Sequence, residues 1–414
     1  MNVQQGQPVP GQPVPGERRA GPRRSGGTLA LLLSALLILV TACGGGDDDK
    51  RGGTDADKQP SQAGVTITPK DGAKDVATDG ALKVSSSRGR LTSVKVQDDK
   101  GNPVAGKLTG GALWQPTGKL RAATTYKVDA VAVDDQLRES ARHATFTTLV
   151  PEHTFVGRYT PENGQTVGVG MPVSVNFTRG ITDPGRVEKG IKVTAKPSVP
   201  IVGHWFGNDR LDFRPAKYWA PGTKVTLDID LKGVEGRPGV YGTQSKRISF
   251  TVGRSQVSTV DVKAKEMSVV RDGKKIKTVP VSAGGPGTET YNGQMVVSEK
   301  HEVTRMNGET VGFGGEYDIP DVPHAMRLSA SGTFIHGNYW TGRSAFGSRN
   351  ASHGCIGLFD QRGGGDSSTP AAWFYANSLI GDVVTVKNSH DETIAPDNGL
   401  NVWNMSWEKW RAGR

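Results

Sequence analysis

Between Gly64 and about Leu149 the chain alternates apolar and polar residues in short runs, among them Val65-Thr66-Ile67, Leu82-Lys83-Val84, Val94-Lys95-Val96 and Tyr126-Lys127-Val128. Gly, Pro, Asp or Asn interrupts the alternation roughly every 8–12 residues, the turn spacing of an all-β domain. A period of two sends the apolar side chains of a strand to one face, and turns this close together fold neighbouring strands antiparallel. The pattern predicts an immunoglobulin-like β-sandwich over residues 64–150. The next stretch repeats it. Thr68-Pro69-Lys70-Asp71-Gly72 is echoed by Thr160-Pro161-Glu162-Asn163-Gly164, and Trp114-Gln115-Pro116 with Thr124-Thr125-Tyr126 by Phe213-Arg214-Pro215 with Thr223-Lys224-Val225. A second sandwich of the same design is therefore expected over 151–253. Neither copy contains cysteine, so neither has the inter-sheet disulfide of antibody domains.

Residues 254–388 read as a third, mainly β block. Val260-Asp261-Val262 and Met267-Ser268-Val269-Val270 lead to an Asp272-Gly273 turn and a return run from Ile276 to Val281, which reads as a hairpin. Further strands are predicted at Gln294–Val297, Thr333–Ile335 and Val383–Val386, with one short helix at Ala371–Ser378. In the remaining segment, 389–414, Trp403, Trp407 and Trp410 fall at i, i+4 and i+7, one face of a helix over Asn401–Arg411. Such a face is expected to dock on a neighbouring domain, with sugar stacking and membrane contact as its other uses.

The amino-terminal end is of another kind. Residues 1–28 are rich in Gly and Pro and carry Arg18, Arg19, Arg23 and Arg24; an apolar run from Leu29 to Val40 follows, broken only by Ser34. Counted to Ala42 the run has 14 residues, short of the roughly 20 that cross a bilayer as a helix, so 1–42 reads as a signal peptide rather than an anchor span. Val40-Thr41-Ala42-Cys43 resembles the lipobox of bacterial lipoproteins, with Val where Leu is usual, and Cys43 is the expected site of lipidation. Residues 43–63 then form a polar tether that opens with Gly44-Gly45-Gly46-Asp47-Asp48-Asp49. The expected location is outside the cytoplasm, at the membrane and facing the cell wall.

Export changes the meaning of the charge. The chain has 51 Lys and Arg against 41 Asp and Glu, a net charge of +10. No basic stripe interleaved with aromatics accompanies it, which argues against nucleic acid. Cell-wall polymers and anionic lipid are the polyanions available outside the membrane. Two cysteines in 414 residues cannot supply a disulfide framework or a four-thiolate zinc site, so a thiol outside the signal region invites a chemical explanation.

That thiol is Cys355, in the stretch from Phe334 to Asp360. The stretch contains two of the eight histidines, as His336-Gly337 and as Ser352-His353-Gly354-Cys355. Nucleophilic thiol catalysis needs an imidazole to take the sulfur's proton and a further group to fix that imidazole's tautomer. Gly354 removes a Cβ directly before the sulfur, which lets backbone N–H groups face a developing oxyanion. A zinc site of His336, His353 and Cys355, an inert core cysteine, and a Cys43–Cys355 disulfide are the competing uses of the same residues. Zinc lacks a fourth ligand here, and the disulfide is incompatible with an acylated Cys43. A catalytic Cys355 is expected to react with electrophiles at neutral pH faster than free cysteine, through a lowered pKa.

These residues resemble the active-site signature of YkuD-type L,D-transpeptidases, in which His-Gly or His-Ser is followed after a spacer by Ser-His-Gly-Cys. The resemblance covers about 255–388. It implies a fold of two immunoglobulin-like sandwiches, a β-rich YkuD-type catalytic domain with a short helix, and a Trp-rich carboxy-terminal segment. It further implies that Cys355 is the nucleophile and His336 its base, the Gly337 carbonyl fixing the imidazole tautomer. Gly354 and Cys355 amides would form part of the oxyanion hole, while Ser352 and His353 support and line the site. Tyr317, the pair Ser331-Gly332 and Trp340 would contact substrate. Gly357 stands where Arg or Asn, which can bind substrate, is usual. The implied reaction is peptidoglycan cross-linking: a donor tetrapeptide stem acylates the thiol with release of D-Ala, and an acceptor amine resolves the thioester to a 3→3 link. Carbapenem-type β-lactams would trap the same thiol, and no cofactor or metal is implied. Hydrolysis of the thioester, an L,D-carboxypeptidase activity, and a non-catalytic anchored wall-binding protein are the alternatives. A residue two before the nucleophile on a short strand shares its face about 6–7 Å away, which is why His336, from a separate strand, is the expected base rather than His353.

Overall fold

The computed structural model describes residues 59–312 and 314–413. The signal segment, Cys43 and most of the tether lie outside the described residues. The first sandwich pairs a sheet of Gly64–Thr68, Lys83–Ser87, Leu113–Pro116 and Gly106–Thr109 with one of Ala73–Val76, Glu139–Thr148, Thr125–Val133 and Arg90–Asp98. Val84, Tyr126, Val128 and Phe146 fill the space between them. The second pairs Gly157–Thr160, Val173–Phe177, Arg210–Arg214 and Val202–Phe206 with Thr166–Val167, Ser245–Val252, Lys224–Asp230 and Ile191–Lys196. The Thr-Pro echo marks equivalent turns. Asp71 Oδ1 accepts from Thr145 N at 2.7 Å and Asn163 Oδ1 from Ser249 N at 3.0 Å, each tying the turn after the first strand to the last long strand.

The third block has two sheets. The larger contains β1 (Gln256–Asp261), β2 (Glu266–Arg271), β3 (Lys274–Pro280), β4 (Gly293–Val296) and, after the strands of the other sheet, β9 (Val383–Lys387), in the order β3-β2-β1-β9-β4. The smaller runs β5 (Glu299–Asn307), β6 (Asp318–Arg327), β7 (Phe334–Asn338) and β8 (Ile356–Phe359). Asp272 and Gly273 both have positive φ, 48° and 78°, as the predicted β2–β3 turn requires. Ile335, Ile356 and Leu358 enter a common core with Val260, Met267 and Val384. Helix α1 (Pro370–Ala376) starts at Thr369, whose side chain accepts from Ala372 N, and buries Phe374. The alternation does not reveal the ribbon β5–β6: apart from Val303 its outward positions on β5 are polar, and Pro320 and Pro323 interrupt the strand signal.

The Trp-rich end differs from the single predicted helix. Val402–Asn404 is one 3₁₀ turn, Met405 is extended, and α2 (Trp407–Ala412) begins afresh at Ser406, whose hydroxyl accepts from Lys409 N. The break lets all three indoles surround one cation. The Arg214 guanidinium lies 4.9, 5.4 and 4.5 Å from the rings of Trp403, Trp407 and Trp410. Nη2 donates to Met405 O at 2.7 Å. Burial lowers the Arg214 pKa to about 10. Trp410 Nε1 donates to Val202 O and Trp403 Nε1 to Gly170 O, so the segment docks on the second sandwich. Gly168 N and Gly170 N donate to Ile380 O and Gly381 O, joining that sandwich to the third block beside β9.

Candidate active site

Strands β7 and β8 run parallel with His336 opposite Gly357. Their alternation sends Ile335 into the core and turns Phe334, His336 and Asn338 toward a cavity of about 290 Å³. Cys355 reaches the same cavity from the turn that precedes β8. That turn is held in place from below: Ala351 N and Ser352 N donate to Ala283 O, Thr288 Oγ1 and Gly285 N donate to Ser352 O, and Ser352 Oγ donates to Cys355 O at 2.5 Å. Gly354 sits at φ 97°, a left-handed conformation that a side chain would strain. The segment before Cys355 is thus a bend and not a strand, so the period-two argument for His353 does not describe it. His353 instead meets the tip of the β5–β6 ribbon, Nε2 lying 3.0 Å from Glu316 Oε2 and the ring 5.1 Å from Tyr317.

The ribbon packs against the thiol. Met306, Val322, Ala325 and Phe334 form a small apolar cluster against which Tyr317, Ile319 and Cys355 pack. Phe334 N donates to Cys355 Sγ at 3.4 Å, and Sγ donates to Gly332 O at 3.6 Å. Burial is the largest influence on the thiol and pushes it up to about 11, outweighing the Phe334 N–H and the Arg327 charge, which act the other way. The expected low pKa is therefore not supported: burial here favours the protonated thiol. Burial also lowers His336, against the opposing effect of its bond to Gly337. His336 Nδ1 lies 2.8 Å from Gly337 O. A carbonyl only accepts, so Nδ1 carries the proton and Nε2 of the neutral ring is left as a base. Trp340 stacks on the imidazole at 5.7 Å and 16°.

Cys355, His336, Ser352, His353, Tyr317, Gly332 and Trp340 all line the one cavity. Two proposed substrate contacts sit elsewhere. Ser331 lies outside the wall, its N and Oγ bound to Asn398. Gly357 is buried in β8, with both backbone groups paired to Ser282; a Cβ there would meet Asn338 Nδ2 at 3.5 Å. Gly337 sits behind the cavity, where a Cβ would lie 2.8 Å from Asp360 Cβ. Asp360 is fixed by His324 Nδ1 at 2.7 Å, Thr369 Oγ1 at 2.9 Å and Gln361 N at 2.8 Å. Sequence reasoning missed Arg327, Asn338 and Asp360. Asn338 and Asp360 lie within or beside the motif, whereas Arg327 follows from its place on a ribbon that the alternation did not reveal. Among the described residues no group of three His, Cys, Asp or Glu side chains is arranged to hold a metal ion.

Residues 255–386 match the L,D-transpeptidase catalytic domain (YkuD), and residues 73–235 match a bacterial Ig domain. The chain is 34% identical over 356 residues to L,D-transpeptidase 2 of Mycobacterium tuberculosis (strain CDC 1551 / Oshkosh), covering 84% of each protein. It is 30% identical over 364 residues to L,D-transpeptidase 5 of M. tuberculosis (strain ATCC 25618 / H37Rv), covering 86% of this chain and 78% of the relative. A solved structure of the LD transpeptidase LdtMt1 in complex with imipenem superposes with a TM-score of 0.47 at 26% identity, over 57% of this chain and 100% of the other.

Proposed function

The chain belongs to the L,D-transpeptidase family, and on that premise we propose that it joins peptidoglycan stems 3→3 through a thioester on Cys355. The observation that carries this reading is that Cys355 and a neutral His336, its Nδ1–H held by Gly337 O, line the same cavity. Sγ attacks the carbonyl carbon of the diamino acid at position three while His336 Nε2 takes the thiol proton. The tetrahedral intermediate collapses, the C–N bond to D-Ala breaks, and the imidazolium returns the proton to the departing amine. An acceptor amine then attacks the thioester, His336 takes its proton, and the sulfur leaves to be reprotonated. The acyl bond is conserved through the thioester, so the exchange needs no nucleotide.

The Gly354 and Cys355 amides are the proposed oxyanion donors, and Tyr317, Gly332, His353 and Trp340 the substrate-lining residues. In the same reading the protein is exported and held at the membrane by a diacylated Cys43, with the sandwiches setting its reach into the wall. The test is mass spectrometry of products from a purified tetrapeptide donor with and without an acceptor amine. A cross-linked dimer and free D-Ala, both lost in Cys355→Ala, are expected. Tripeptide alone, with acceptor present, would make the protein an L,D-carboxypeptidase; turnover that survives Cys355→Ala would overturn the assignment of the thiol.

A further inference from the structure

The β5–β6 ribbon carries two arginines into the wall of the cavity, and they are in different states. Arg305 is satisfied: Nε and Nη2 donate to the two oxygens of Asp318 at 2.7 and 2.5 Å. Arg327, at the end of β6, is not. Its Nε lies 3.2 Å from Glu299 Oε2 as an ion pair, yet it is a buried nitrogen with no aligned hydrogen-bond acceptor among the described residues. Nη1 reaches Ser329 O only at 3.5 Å. Glu299 cannot compensate fully, because the same Oε2 meets His301 Nε2 at 2.9 Å.

The position of this under-used guanidinium is specific. Its Cζ lies 4.5 Å from the Phe334 ring centroid, and Phe334 is the residue whose N–H reaches Cys355 Sγ. The Arg327 charge acts on the sulfur in the direction opposite to burial, as the smallest of the three influences on it. An anion bound by Arg327 would therefore sit beside the reacting carbonyl. The planar fork of an arginine fits a carboxylate through two parallel N–H···O bonds.

We propose that Arg327 reads a free carboxylate of the donor stem and so selects the peptide whose scissile carbonyl lies over Cys355. This rests on the reading of Cys355 as the acylated thiol. Two carboxylates are candidates: the terminus of the departing D-Ala, one residue beyond that carbonyl, and the second carboxylate of the diamino acid, at the end of its side chain, where it has one. Both present the same chemistry to Arg327.

The experiment measures kcat and KM with the full chain and four donors: the free tetrapeptide, the same peptide amidated at D-Ala, amidated at the diamino acid, and amidated at both. Amidation of the carboxylate that Arg327 holds should lower kcat/KM about 10- to 100-fold, the weight of a charge-assisted pair. The arm that shows the loss identifies the carboxylate. In Arg327→Gln that discrimination should shrink to less than about threefold, and Arg327→Lys should recover part of it. Equal turnover of all four donors by the unaltered protein overturns the proposal without any variant, which covers the case that Arg327→Gln does not fold. Discrimination that persists undiminished in a folded Arg327→Gln overturns it as well. No turnover of any donor by the unaltered protein would instead refute the peptide-acylation reading, and this proposal with it.

Discussion

Titrating the rate of Cys355 alkylation separates a thiol activated in advance from one activated at the moment of attack. The perturbation is pH. With the thiol pushed up to about 11 by burial, its thiolate fraction at pH 7.5 is about 3 × 10⁻⁴, against about 0.1 for a free cysteine of pKa about 8.5. Iodoacetamide, which takes only thiolate, should therefore modify Cys355 about 300-fold more slowly than free cysteine at that pH. The sign is fixed by the direction of the shift: a raised pKa keeps the proton on sulfur through the neutral range, and the rate should climb about tenfold per unit up to pH 10 with no plateau. His336 shifts the other way, toward the neutral ring, so both shifts favour thiol plus imidazole over a thiolate–imidazolium pair. Under the proposed mechanism a carbapenem-type acyl donor should behave differently, because His336 would remove the proton as the bond forms. That acylation should proceed at pH 7.5 and fall about 10²–10⁴-fold in His336→Ala, the range of general-base catalysis. Pseudo-first-order rates from intact-mass spectra between pH 6 and 10 give both curves. An alkylation plateau below pH 8, or a rate at pH 7.5 above that of free cysteine, would refute the neutral-pair reasoning.

Two further outcomes follow from other parts of the chain. Gly337→Ala should lower stability by about 1–3 kcal/mol through overpacking against Asp360, and should slow acylation by shifting the carbonyl that orients His336; a thermal midpoint unchanged in calorimetry would show that Asp360 yields freely. Cys43→Ala should leave the signal attached and remove the lipid mass from membrane-extracted protein, and an unchanged mature amino terminus in that variant would end the lipoprotein reading.

The parts of the fold that were legible are those where local chemistry decides geometry. Asp272-Gly273 specifies its turn because both residues adopt positive φ, and the repeated Thr-Pro-x-x-Gly announces two sandwiches because the Asp or Asn inside it ties one strand to another. The carboxy-terminal Trp spacing predicts one helix because periodicity carries no trace of Arg214, which lies in another domain. Breaking the helix at Met405 lets its carbonyl accept from that guanidinium and brings three rings to one cation.

The candidate site divides along the same line. The placement of Cys355, His336, Gly337 and Gly354 was legible because the geometry is local: a backbone carbonyl fixes the adjacent imidazole, and a left-handed glycine bends the chain into Cys355. The protonation state of the sulfur was not, because it belongs to the enclosure. Tyr317, Ile319 and Met306 pack with Cys355 from a ribbon 36 to 49 positions upstream, and Arg327, from the end of the same ribbon, adds a smaller influence of opposite sign. A motif fixes which side chains come together; how far they are withdrawn from water, which shifts their protonation, is set by residues outside it. The ribbon's apolar contacts and Arg327 would therefore bear on the same event under the proposed reaction, since both lie beside Cys355 on one wall of the cavity.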